Sequence, residues 1–126
     1  MLQHNAADTL ASTAASFGDY VSCQVYYSRS LATTASTPAP AVIWLHPYAY
    51  NTGYAPAYLQ ARVFEDLAHA GFVVMAYEQI GFGLRNTQGG NRFYRRHGDT
   101  SSILGHMVKD TRAAVDFLYC RSPEGK

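Results

Sequence analysis

At 126 residues the chain is long enough to bury one core but short for a sheet covered by helices on both faces, so it reads as one domain or part of one. A formal charge of +1 gives no general electrostatic case for nucleic acid or an anionic membrane, and no apolar run approaches the ~20 residues that span a bilayer. Its two cysteines, Cys23 and Cys120, lie far apart without metal-type spacing, which argues against zinc and leaves a disulfide undecided.

Residues 1–18 are rich in Ala, Ser and Thr. They lack the basic start and compact apolar stretch of a signal peptide, and could form a short helix without a persuasive apolar stripe. We treat 1–18 as a poorly defined segment and 19–126 as the domain; nothing in the sequence assigns a compartment. In residues 20–27, Val21, Cys23, Val25 and Tyr27 alternate with Ser22, Gln24 and Tyr26, the period of a half-buried strand nearer a sheet edge. The small-residue stretch 30–40 is a connector whose prolines, Pro38 and Pro40, favour extended backbone.

The stretch AVIWLHPYAYNTGY, residues 41–54, organises the rest. Val42 to Leu45 is continuously apolar, as suits a strand covered on both faces in a parallel sheet. Pro47, with no N–H and a fixed φ, makes the chain leave the sheet. Pro56 suits the first turn of a helix, Leu59, Val63, Phe64, Leu67 and Ala68 recur at helical spacing, and Gly71 supplies the stop. FVVMA, residues 72–76, is a second apolar strand, so the span forms a βαβ unit with parallel strands, placing His46 and Glu78 at one sheet edge. Residues 79–98, glycine-rich and basic, read as a long loop at that edge. A helix follows over 101–119, capped by Asp99, Thr100 or Ser101, with Leu104, Met107, Val108, Thr111, Val115 and Leu118 as its stripe.

Ligands in open α/β sheets gather beyond the carboxyl ends of the strands, which directs attention to the loop after His46. That loop could offer backbone N–H groups to an oxyanion, or His-Pro could be a tight turn with its imidazole hydrogen-bonded inside. Tyr48, Tyr50, Tyr54 and Tyr58 could wall a pocket or only pack the loop. Residues 78–85 (EQIGFGLR) fail as a dinucleotide fingerprint, because Asn86 occupies the third glycine position and no helix is expected to begin there. Arg92, Arg95, Arg96 and His97, interleaved with Phe93 and Tyr94, read better as a solvated basic loop than as a nucleic-acid or phosphate site. No serine or cysteine sits in a G-x-S-x-G elbow; Ser101 and Ser102 are helix caps.

The order of elements, with the motifs PAVIWLHPYAYNTGY, AGFVVMAYEQIGFGLR and SILGHMVKDTRAAVDFL, resembles the amino-terminal part of an α/β-hydrolase, nearest the dienelactone hydrolase and acetyl xylan esterase-like branches. The resemblance implies an α/β fold with a mainly parallel sheet flanked by helices, truncated before the nucleophile strand. It assigns the backbone N–H of Tyr48 to the oxyanion hole, although Pro47 stands where the family often has glycine, and makes His46, Tyr50 and Tyr54 pocket candidates. It gives residues 78–85 a mainly structural turn. The whole protein would hydrolyse an ester or an acylated carbohydrate through a serine, without cofactor or metal, nucleic acid or membrane. This chain, lacking serine, acid and base, would be inactive alone, and the bare edge of strand 42–46 would drive self-association. The rival reading is a non-catalytic binding module that retains the half-fold.

Overall fold

The computed structural model describes residues 10–33, 38–47, 53 and 59–120. Strands β1 (Leu10–Phe17) and β2 (Val21–Ser28) form a hairpin and the short helix α1 (Arg29–Thr33) follows. Next come β3 (Ala41–Trp44), α2 (Leu59–His69) and β4 (Val73–Tyr77). A 3-10 segment (Gly83–Gln88), helix α3 (Asn91–His97) and helix α4 (Ile103–Cys120) complete the described chain.

The four strands form one sheet in the order β1-β2-β4-β3. β3 and β4 pair in parallel, with Val42 opposite Val74 and Trp44 opposite Ala76, as the βαβ reading requires. The other two pairings, β1 with β2 and β2 with β4, are antiparallel. The sheet is therefore mixed and mostly antiparallel, which corrects the expectation of a mainly parallel sheet. The cause lies in residues 10–17, whose small side chains (LASTAASF) carry no apolar alternation and yet form β1 rather than a short helix. A three-residue turn, with Gly18 and Tyr20 both at positive φ, folds β1 back on β2. β2 consequently lies inside the sheet, not near its edge, and β3 ends the order with a partner on one side only among the described residues.

Each face of the sheet carries one helix. On the first, Phe17, Val21, Cys23, Met75 and Tyr77 pack with Ala114 of α4, joined by Ile43 and Phe117. On the second, Val74 and Ala76 meet Phe64 of α2, joined by Tyr26 and Trp44. Strand alternation thus sends Ile43 to the α4 face and Trp44 to the α2 face. Of the expected α2 stripe Phe64 and Ala68 are buried and Leu67 is half-buried, whereas Val63 is exposed; the helix ends where expected. Phe72 N–H donates to Leu67 O at 3.0 Å and Gly71 N–H to Ala68 O at 3.1 Å, the paired bonds of a glycine-terminated helix, with Gly71 at φ +99°.

Two further expectations are corrected. Residues 79–98 are not a plain loop: the 3-10 segment and α3 occupy most of them, with α3 held by the buried Phe93. α4 forms as expected but is rotated, so that Asp110 and Ala114 are buried while Leu104, Val108 and Val115 are exposed. No disulfide joins the two cysteines; Cys23 is buried and Cys120 exposed. Among the described residues no helix is long and apolar enough to cross a membrane.

Candidate functional site

The carboxyl ends of β3 and β4 lie side by side because the two strands are parallel and in register. His46, two residues past β3, is buried there. Its Nε2 accepts the backbone N–H of Gln79 at 3.0 Å, so the ring proton resides on Nδ1, which donates to Pro47 O at 2.7 Å. The Gln79 side-chain amide returns a bond to His46 O at 2.7 Å, and the Phe82 ring meets the imidazole edge-on at 5.4 Å. Both imidazole nitrogens are engaged. In this geometry His46 clasps the strand ends together and offers no free nitrogen to a substrate.

Glu78 and the turn after it form the second half of the region. The Leu84 N–H donates to Glu78 Oε2. Gly53 and Gly83 both press on this carboxylate; a Cβ on Gly53 would stand 2.6 Å from Glu78 Oε1, and one on Gly83 would be closer still. Gly83 also holds φ +53°, so a side chain there would meet a clash and backbone strain together. Gly53 shows that the chain after β3 returns to the turn after β4. Tyr48, Tyr50, Tyr54 and Tyr58 lie outside the described residues.

Arg85 locks the turn to α4. Its Nη1 donates to Glu78 O and to Asp110 Oδ2, each at 2.9 Å, and its Nε donates to Gln88 Oε1 at 3.0 Å. The Arg85 and Asp110 side chains are only 13% and 11% exposed, so the pair is largely dry. The next residue is Thr111, whose hydroxyl donates to Met107 O at 3.0 Å and accepts the Tyr77 hydroxyl at 2.9 Å. Burial pushes the Tyr77 phenol above its usual range, the Thr111 bond opposes this, and the Asp110 charge adds to it. Asp110 escaped sequence reasoning, although a signal existed. It is the charged residue in phase with Ile103, Met107, Ala114 and Phe117, and a charge on a buried helical face calls for a partner.

Ser102, not Ser101, caps α4, accepting the Gly105 N–H at 3.1 Å, whereas Ser101 donates its hydroxyl to His97 O at 2.7 Å. In α3, the buried Phe93 packs against His97 and His106, with ring centroids at 4.7 and 4.9 Å, and the two histidines meet each other at 4.5 Å, so the three rings form a triangle. Arg92, Arg95 and Arg96 face solvent, and the basic residues of the last turn suit the negative end of the helix dipole. No group of three or more potential metal ligands comes together among the described residues.

The arrangement is therefore a stiff platform: two parallel strand ends, clasped by His46 and Gln79 and braced to α4 through Arg85. The chain leaves it at Pro47. No family model matches this chain, and no curated protein matches it.

Proposed function

We propose that this chain supplies the oxyanion-hole side of a serine-dependent hydrolase acting on ester or related acyl bonds, and that it does not turn over alone. The observation that carries the reading is the clasped parallel pair β3/β4, with β3 unpaired on its outer side among the described residues. Acyl transfer needs backbone N–H donors held in place before charge develops, and two cross-linked strand ends are a firm root for a segment that would carry such donors. The family resemblance supplies the rest. The Tyr48 N–H is the donor, and the serine comes from a strand outside this sequence that pairs with the free edge of β3. In the reaction, the serine Oγ bonds to the acyl carbon and the alkoxy group leaves with the proton that a histidine took from that serine. Water then releases the acid.

The test has two parts. Sequence coding downstream of Lys126 should specify a short apolar strand running into G-x-S-x-G, then an acid and a histidine. The chain extended through those residues should hydrolyse an activated short-chain ester and label with a fluorophosphonate at the elbow serine, whereas the 126-residue chain does neither. An extended chain without such a serine would end the proposal. So would ester turnover by the 126-residue chain that survives Ser101→Ala with Ser102→Ala. In the active protein Tyr48→Phe should keep most activity, and Tyr48→Pro, if folded, should lower kcat by about a hundredfold or more. Equal losses would assign the role to the phenol instead. The rival reading, a binding module, is favoured by one observation, the exposed apolar flank of α4.

A further inference from the structure

α3 stands on a single buried side chain. Of its seven residues Phe93 is buried and the other six are exposed, and a helix of that length does not hold itself together in water. At the joint with α4, Phe93 meets two imidazoles, His97 from its own helix and the half-buried His106 from the first turn of α4. The imidazoles also touch each other, at 4.5 Å between centroids. Such a triangle packs well while both imidazoles are neutral, but two imidazoliums in contact repel. Neither ring is sealed from solvent protons, since His97 is exposed and His106 only half-buried.

The charges around the joint do little to offset a second proton. α3 itself carries Arg92, Arg95 and Arg96 and no acid. His97 feels desolvation at the joint first, then the charges of His106 and Arg96, then Asp19 of the β1–β2 turn, then Lys109 of α4; Asp19 alone among them is an acid. Asp99, in the exposed link between the helices, is not one of the groups that act on it. Asp110, one turn on from His106, is committed to Arg85, and Arg85 is the one charge in the 3-10 segment that precedes α3.

The backbone is jointed at both ends of the same helix. Gly90 at its start holds φ +59° and Gly98 at its end holds φ +85°, and a Cβ on either would meet nothing within 4 Å. The turn before Gly90 is tied down instead, with Gly81 N–H donating to Arg85 O at 3.0 Å and the Arg85 guanidinium held by α4.

We propose that the α3–α4 joint is an acid-operated latch, closed while His97 and His106 are neutral and open once both carry a proton. On opening, α3 leaves α4 by movement at Gly90 and Gly98 and uncovers Phe93, while the sheet, α4 and the turn after β4 stay folded. The direction follows from proton linkage. An imidazole held below 6.5 in the closed joint and released to about 6.5 in the open one takes up its proton on opening, so the open form gains as the pH falls below 6.5. The inference does not rest on the hydrolase reading, whose residues lie outside the joint.

Carbon-13 Cα shifts of the 126-residue chain provide the test, because they report helix residue by residue. Residues 91–97 should show helical shifts at neutral pH and lose half or more of that displacement by about pH 5, whereas α4 and β4 keep theirs. His106→Phe keeps a ring at the joint without its charge, so α3 should stay helical at the lower pH. Arg96→Gln, at an exposed position, removes a cation beside His97 and should move the opening to lower pH, while Asp19→Asn should move it to higher pH. These two variants keep the test valid if the larger ring unfolds α4. α3 shifts that are the same at both pH values, or loss of α3 together with α4 and β4, would overturn the inference. So would opening of a folded His106→Phe chain at the wild-type pH, or a midpoint that neither Arg96→Gln nor Asp19→Asn moves. None of these outcomes bears on whether downstream sequence encodes a serine elbow.

Discussion

Asp110 places a carboxylate on the buried face of a helix, and one guanidinium answers it. Arg85 at the same time satisfies the carbonyl of Glu78, so a single side chain joins the turn after β4 to α4. Removing only the cation leaves a nearly dry carboxylate without its partner. Arg85→Met should cost about 2–3 kcal/mol, somewhat below the figure for full burial because part of each side chain stays wet. Arg85→Met combined with Asp110→Leu should recover at least half of that loss in urea unfolding. Equal destabilisation of the single and double variants would show that the bond to Glu78 O, rather than the ion pair, carries the turn. His97 poses a different electrostatic problem. The desolvation it meets, then the neighbouring His106 and Arg96, hold its pKa below the ordinary 6.5; Asp19 opposes this and Lys109 adds to it. An imidazole with a depressed folded-state pKa binds its proton more readily when unfolded. Its contribution to stability is therefore complete above pH 6.5 and lost as the pH falls through the folded value. A proton NMR titration should place the His97 midpoint below 6.5, and His106→Gln should raise it.

Among the elements, α4 depends on a defined start. Ser102 receives the Gly105 N–H, one of the otherwise unpaired donors of the first turn, so Ser102→Ala should cost about 1 kcal/mol in chemical denaturation. Ser101→Ala, which loses only a bond to the end of α3, should cost less; the reverse ranking would move the cap. β1 and α3 are the elements the sequence hid. Ala, Ser and Thr have no hydrophobic alternation to mark a strand, and β1 forms because β2 offers it a full ladder and Phe17 reaches the core. α3 is only seven residues long, too short to be stable by itself, and is held by the packing of Phe93 and His97 against His106 of α4.

At the scale of the whole molecule the sheet separates two cores of unequal make-up. Phe64 is the largest fully buried side chain on the α2 side, meeting Trp44 edge-on at 5.4 Å and Tyr26 at 5.3 Å. Phe64→Ala should cost about 3–5 kcal/mol and unfold the domain cooperatively rather than release α2 alone, since Val74 and Ala76 share β4 with the other core. Two unfolding transitions would instead make the layers independent.

The sequence by itself determined the elements whose pattern is local: the alternation of β2, the apolar runs of β3 and β4, the glycine-terminated α2 between them, and the length of α4. With those came the parallel β3/β4 pair and the meeting of His46 with the turn after Glu78, because a helix between two paired strands returns the chain parallel and sets their carboxyl ends side by side. Only the tertiary structure decided the partners. It brought β1 against β2 and so turned the sheet mostly antiparallel. It engaged both nitrogens of His46. It rotated α4 so that Asp110 faced inward and Val108 outward. The physical reason is common to all three. Backbone pairing, an imidazole's two bonds and the choice between two apolar helix faces depend on groups far away in the chain, and periodicity records a residue's own neighbours alone.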